Sequence, residues 1–326
     1  MPAYLERSLR ALGRRSAALH RRLRFHHTGA PAPELRDARA VVFWLADPLR
    51  ERYPECYREA ACIAEEATRR ALRIVNPPDA LSHSIKSVQA ALWSRAGVPT
   101  PEHRRFTSRG ELEDIVRHAR FPVLVRSDEL HAQQHLHFCG DPGDVRRIAG
   151  ETLALPGTVT EFVDVRRRFQ EQAACGPCAR FFHKKRVCIL GDLVLPVHVY
   201  FSEAPVVAKH TSTFLVYKKL RHRGRALVTG TRHAHEACVA ADVAFAEHGD
   251  GHGDLMRGAA QALGLGFLAI DYATLPDGRA LLWEANPHFR LTPWRQDLLP
   301  VKRRAWRRQG RIQTGIEEFF RRLLRS

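Results

Sequence analysis

The sequence predicts an α+β protein whose strands come as antiparallel hairpins set between separate helices. Three observations carry this. Residues 266–293 read as a hairpin around a tight Asp277-Gly278 turn. Residues 180–200 read as a second hairpin around Gly191-Asp192. Helical periodicity fills stretches before and after them, including basic amphipathic stretches at both ends. The 326 residues suffice for two or three small domains with a proper core.

Composition narrows the function classes. No apolar run approaches the length of a membrane-spanning helix, and no signal-peptide core follows the start. Seven cysteines argue against a disulfide framework and for a reducing, cytoplasmic setting. The formal charge of +17 suggests nucleic acid until it is mapped. Residues 1–40 hold nine Arg against three acids, and residues 301–326 hold nine Lys or Arg against two. The middle is ordinary, so the basicity sits in two tails. Such tails fit RNA, an anionic lipid surface, an acidic protein, or plain solvated faces.

In chain order, residues 4–25 place Leu5, Leu9, Leu12, Leu19 and Leu23 near one helical face, with Arg on the others. A transit peptide, core docking and a membrane-surface role all fit that pattern. Residues 28–33 read as a linker. Val41–Leu45 is a strand, residues 51–72 a helix and Arg73–Val75 a second strand, which together make one βαβ unit. A helix capped by Ser82 or Ser84 runs to Arg95 and stops at Ala96-Gly97. Residues 109–119 form a helix, Phe121–Arg126 a strand, and Gly157–Asp164 another strand. Cys175-Gly176-Pro177-Cys178 is open to a redox, a zinc (with His183) or an incidental reading. Residues 202–253 read mostly as loops, with a His-Gly-Asp repeat at 248–254 that suits a polar loop or a metal. Residues 255–264 form a helix. The tail puts Ile312, Ile316, Phe319, Phe320, Leu323 and Leu324 on one helical face.

The hairpin at 266–293 carries the chemistry. Asp271 lies on its first strand and Glu284 on its second, with Asn286 two positions further on. Residues i and i+2 on a strand share a face, and the hairpin folds Asp271 up opposite them. Two carboxylates and an amide oxygen make a hard, all-oxygen site suited to Mg²⁺, or Mn²⁺ in its place. Without a cation the two facing carboxylates repel each other.

Asp271, twelve residues, Glu284, one residue, Asn286 and then Pro287 resembles the metal-binding end of the ATP-grasp superfamily. The resemblance extends over residues 70–292. It implies an ATP-grasp fold, with two α+β lobes that clamp ATP, a shortened N-terminal Rossmann-like domain, and basic amphipathic helices added at both ends. The implied division is 1–40, 41–100, 101–178, 179–300 and 301–326: a basic helix and linker, the shortened domain and linker helix, the small lobe, the large lobe, and the C-terminal basic helix. In the family the Asp, Glu and Asn hold Mg²⁺ against the β- and γ-phosphates. Lys86 matches the linker-helix Lys that reaches phosphate. Arg126 stands where the family has a Lys on a strand end. The hinge strand implies backbone contacts to adenine near Val163, with Glu161 or Asp164 for the ribose. Lys185 and Arg186 match a pair facing the transferred phosphate. The family's glycine-rich phosphate loop is missing, because residues 127–137 contain no glycine. Ala269 and Ile270 replace an Arg that ligases often carry, which leaves Arg186 or Arg290 to serve an oxyanion. The implied activity is an ADP-forming carboxylate–amine ligase acting through an acyl phosphate, on small-molecule or peptide carboxylates and amines. A phosphotransferase and a degenerate nucleotide-binding or scaffold protein are the alternatives. The basic terminal helices lie outside the resemblance, and their charge makes RNA or an anionic surface the expected further contact.

Overall fold

The computed structural model describes residues 12–130, 135–151, 153, 155–166, 178, 181–207, 232–275, 277–289 and 303–325. Mixed helix and strand content makes it α+β, as expected. At the N-terminal end, α1 (Ala17–Arg22) is capped by the Ser16 hydroxyl, and Leu12 and Leu19 are buried. Residues 4–11 of the expected 4–25 helix lie outside the described residues.

β1 (Ala40–Val42) and β2 (Arg73–Val75) pair in parallel. Between them come a short α2 (Leu49–Arg52) and the longer α3 (Pro54–Arg69), whose Pro54 occupies the first turn, where its missing N–H does no harm. The first strand is shorter than the apolar run 41–45 suggests, because only Phe43 N still reaches across, to Val75 O. At the end of β2 the chain turns sharply through Asn76, which adopts φ +55°. Its buried side chain accepts from Gly266 N and Phe267 N and donates to Phe267 O. The βαβ unit is thereby bonded directly to the hairpin that begins at 266.

α4 (Lys86–Arg95) follows a 3₁₀ segment, Pro78–Ser84. Trp93 is fully buried and donates its indole N–H to Ala259 O. Neither Ser82 nor Ser84 caps this helix, contrary to expectation. Ser82 bonds Glu51 and Ser84 bonds Leu81 O, and the first-turn amide of Ser87 is taken by Asp128.

The small lobe contains β3 (His103–Phe106), α5 (Arg109–His118), β4 (Val123–Ser127), β5 (His137–Cys139), α6 (Pro142–Glu151) and β6 (Gly157–Glu161). Its sheet runs β3-β6-β4-β5, with every pairing antiparallel. Strand alternation sorts its side chains. Phe106, Val123, Val125 and Val159 pack under Leu112, Val145 and Ile148 of the two helices. Leu124, Arg126, Thr158 and Thr160 occupy the opposite face. Gly157 is required where β6 meets β3, since a Cβ there would stand 2.2 Å from the Phe106 ring. Gly157→Ala should lower stability by about 1–3 kcal/mol in urea denaturation, because the ring has no room to retreat. An unchanged midpoint would refute this.

The large lobe contains β7 (Phe182–Leu190), β8 (Leu193–Ser202), α7 (Arg232–His248), α8 (Gly253–Ala262), β9 (Phe267–Thr274), β10 (Ala280–Asn286) and α9 (Arg303–Arg325). The sheet runs β10-β9-β7-β8 and is antiparallel throughout. Both expected hairpins are present. The α7 helix replaces an expected loop. Its apolar residues are mostly small alanines spread around the helix, which blurs the periodicity, yet Cys238, Asp242, Phe245 and Ala246 are buried. Asp242 accepts the Val199 amide, so the helix is also bonded to β8.

Both faces of this sheet are used. Val187, Ile189, Leu268, Ile270, Tyr272 and Leu282 pack against α4, α7 and α8. On the other face Cys188, Leu190, Phe267 and Ala269 meet Ile312, Ile316, Phe319 and Leu323 of α9. The apolar stripe of the tail is therefore core. The N-terminal helix lies against α9: Arg15 donates to Thr314 Oγ1, and Arg321 donates to Ser16 Oγ. Among the described residues no helix is long and apolar enough to cross a membrane.

Candidate nucleotide and metal site

The half of the large sheet that α9 leaves uncovered forms the floor of the site. Phe182, Lys184 and Arg186 project from it on alternate positions of β7, with His198 and Tyr200 beside them on β8. Asp271 pairs with Arg186 across β7 and β9. The turn at Leu275 and Arg279 sets a register in which Leu282 opposes Tyr272. Continued without interruption, that register would place Glu284 opposite Ile270, facing the apolar core. A β-bulge between Leu282 and Glu284 inserts one residue. Glu284 then stands opposite Asp271 and Asn286 opposite Ala269, all on the floor side.

Four cations converge on the two carboxylates. Arg186 grips Asp271 through two parallel bonds, Nε to Oδ1 at 2.6 Å and Nη2 to Oδ2 at 2.8 Å. Lys184 Nζ adds a third contact at 2.9 Å. Lys86 Nζ lies 3.0 Å from Glu284 Oε1, and Arg126 Nη2 lies 3.7 Å from Glu284 Oε2. The expected repulsion between the carboxylates is thus relieved by side chains already in place. Burial pushes the Asp271 carboxyl up, but the Arg186 and Lys184 charges outweigh it and hold it at about 2. Burial also disfavours the Arg186 charge, and Asp271 more than restores it.

Two helix positions aim this cluster. Lys86 and Gln89 share a face of α4, and Gln89 accepts the Ala285 amide at 2.8 Å, next to Glu284 in the chain. Asp128, fully buried at the end of β4, accepts from Ser87 N and Ser87 Oγ and pairs with Arg105. It caps the helix that carries Lys86 and fastens it to the small lobe. Arg126, two residues earlier, faces the floor from above. Its guanidinium is buried, and its Nε and Nη2 have no hydrogen-bond partner. With the Glu284 carboxylate 3.7 Å away, beyond hydrogen-bond reach, these buried donors are unfavourable until an anion comes closer to take them.

The other end of the floor is apolar. Phe162, Phe182, Tyr200 and Val207 form a small cluster between the two sheets. Phe138 meets Phe162 edge-on, and the Arg166 guanidinium lies 4.3 Å over the Phe182 ring. A flat base suits this end and phosphates suit the charged end.

Several expected positions need correction. Lys185 is on the opposite face of β7, where its ammonium bonds Asp250 and Thr274, each at 2.7 Å. Lys184 takes the place beside Arg186, as strand alternation requires. Glu161 falls on the helix-covered side with Val159, and its backbone and carboxylate pair with Glu102. Val163 is half-buried and Asp164 exposed in the irregular stretch that follows β6, beyond the end of the expected 157–164 strand, with Asp164 held by Arg166. Ser127 and Asp128 belong to the β4 end, and 131–134 of the glycine-free loop lie outside the described residues, as do Arg290 and Cys175. Among the described residues no group of three His, Cys, Asp or Glu side chains is placed to hold a metal, at the 248–254 repeat or elsewhere.

The donor set at the hairpin does fit Mg²⁺ or Mn²⁺ in its chemistry. Asp271, Glu284 and Asn286 offer oxygen alone from one face. Four cations against two carboxylates leave two positive charges in excess. The doubly negative complex of ATP with one Mg²⁺ would balance them, with cations passing from carboxylate to phosphate oxygens.

No family model and no curated protein matches the sequence. Solved structures similar to it include an N5-carboxyaminoimidazole ribonucleotide synthetase from Thermotoga maritima, with 15% identity, 71% of this chain and 48% of that one covered, and a TM-score of 0.40. A RimK domain protein ATP-grasp from Sphaerobacter thermophilus has 14% identity, with 97% and 96% covered and a TM-score of 0.49. The D-alanine-D-alanine ligase from Coxiella burnetii has 10% identity, with 82% and 66% covered and a TM-score of 0.43. The chain spans about half the length of the Thermotoga maritima enzyme.

Proposed function

We propose that the chain is an ATP-grasp enzyme that joins a carboxylate to an amine at the expense of ATP. The observation that carries this reading is the buried Arg126 guanidinium, whose Nε and Nη2 make no hydrogen bond and whose ion pair to Glu284 is long, facing a floor of Lys184, Arg186, Asp271 and Glu284. In this reading the base lies against Phe162, Phe182 and Tyr200, and the phosphates extend toward Arg126, Lys86 and Lys184. The shortened Rossmann-like portion is the β1–α3–β2 unit. Asp271, Glu284 and Asn286 would hold Mg²⁺, which supplies charge neutralisation at the β- and γ-phosphates.

A substrate carboxylate oxygen attacks the γ-phosphorus, the bond to the β-bridging oxygen breaks, and ADP leaves. The amine then attacks the acyl carbon and expels phosphate. Charge grows on the transferring oxygens in the first step, and Lys86, Arg126 and Arg186 answer it electrostatically without a side-chain nucleophile. The enclosed position of these cations strengthens the effect, since little water screens them.

The deciding experiment is a screen for ADP and phosphate release against pooled carboxylates and amines. Release that needs both classes supports the ligase, whereas a phosphorylated hydroxyl product would replace it with a phosphotransferase. A second reading, a nucleotide-binding protein without turnover, draws on the full pairing of Asp271 with Arg186 and Lys184. It predicts nucleotide binding with no ADP release under any substrate. For either reading Arg126→Ala should weaken ATP binding by about 1.5–3 kcal/mol, the size of a charge-assisted hydrogen bond. Equal affinity by isothermal titration would remove Arg126 from the phosphate site.

A further inference from the structure

The first cysteine of the motif noted in the sequence lies outside the described residues. The second, Cys178, meets Cys238 of α7, sixty positions on in the chain. Their sulfurs are 3.0 Å apart. Both side chains are fully buried, in the cluster that also holds Phe181, Phe201 and Phe245. Phe181 N bonds back to Cys178 O, so Cys178 is anchored at the entrance to β7.

We propose that Cys178 and Cys238 are an oxidisable pair that closes a disulfide between the entrance to β7 and helix α7. A disulfide needs its sulfurs about 2.05 Å apart, so closure asks for a movement of about 1 Å. The two thiols are not equivalent. Cys238 donates its S–H to the Cys178 sulfur, and this bond holds the Cys178 thiol below its ordinary value against the opposing effect of burial. Cys178 is therefore the readier thiolate. Cys139 and Cys188 are also buried, but burial pushes their thiols up, to about 11 and about 12. They are expected to stay inert.

With a peroxide as oxidant the chemistry balances in two steps. The Cys178 thiolate attacks one peroxide oxygen, the O–O bond breaks, and the departing hydroxide takes up a proton as water. The Cys238 sulfur then attacks the Cys178 sulfenic sulfur, and the hydroxyl leaves with the Cys238 thiol proton as a second water. Two sulfurs lose two electrons and the peroxide oxygens gain them. The bond would close a loop containing the whole β7–β8 hairpin, with Lys184 and Arg186 on it. A cross-link spanning that many residues restricts the unfolded chain and should raise thermal stability.

The test uses the full chain, reduced, then treated with graded hydrogen peroxide, blocked with an alkylating reagent and mapped by non-reducing peptide mass spectrometry. The expected product is a Cys178–Cys238 linked peptide that dithiothreitol dissolves, with Cys139 and Cys188 still alkylated as thiols. The oxidised chain should melt several degrees above the reduced one, and Cys238→Ala should abolish both the linked peptide and the shift. The wild-type map stands by itself should that variant fail to fold. A Cys175–Cys178 link in its place, or full alkylation of Cys178 and Cys238 after peroxide treatment and unfolding in denaturant, would overturn the proposal. None of these readouts involves nucleotide, so the result is independent of the proposed activity.

Discussion

Removing residues 303–326 is expected to abolish cooperative folding. Ile312, Ile316, Phe319 and Leu323 of α9 are all buried against Cys188, Leu190, Phe267 and Ala269. Each such side chain contributes roughly 1.5–3 kcal/mol when fully buried. Together they rival the whole stability of a typical domain, about 5–15 kcal/mol. The loss would also strip one face of the sheet that carries Asp271 and Arg186, so the site should go with the fold. Circular dichroism melts of the shortened chain read the outcome directly. A cooperative transition at the full-length temperature would show that α9 is an accessory. A milder version is Phe319→Ala, expected to cost about 3–5 kcal/mol.

Arg186→Met is expected to lower stability by about 3–5 kcal/mol, since it leaves the buried Asp271 with Lys184 alone. The pH dependence gives the sign. The folded carboxyl sits at about 2, below its ordinary value near 3.8. Its contribution is therefore fully present above about pH 4 and is lost as pH falls toward 2. Removing Arg186 takes away the charge that depresses the carboxyl, so the variant should lose less in that window than the wild type does. Adding Asp271→Asn to Arg186→Met should restore part of the loss at neutral pH, because the charge left behind is gone. Urea titrations at pH 7 and pH 3 measure both effects. A wild-type stability that does not change between those values would separate Asp271 from the buried pair.

Much of the fold was legible because its signals are local. Both hairpins follow from turn chemistry at Gly191 and Gly278, each with positive φ, flanked by apolar strands. The C-terminal helix follows from a single clear stripe. The α7 helix was hidden because its alanines give no single apolar side, and β5 and α6 because they are short or carry few apolar residues. At the site, sequence could name Asp271, Glu284 and Asn286 but could not show what brings them together. The bulge before Glu284 adds one residue to a count that otherwise faces Glu284 inward, and nothing in Leu282-Trp283-Glu284 announces it. Lys184 was within reach, since it alternates with Arg186, whereas Lys185 does not. Asp128 was out of reach, because its partner Ser87 lies 41 positions away and on another element.

Asn76 gives the molecule its mechanics. With three bonds to residues 266 and 267, it rivets the β1–α3–β2 unit to the strand that holds Asp271. The two therefore behave as a single stator. If the proposed nucleotide site opens, the small lobe would be the part to move, against its Asp128–Ser87 tie to α4. Arg126 would then travel with the small lobe, while Lys184 and Arg186 belong to the stator, so the proposed phosphate contacts would change from one side only.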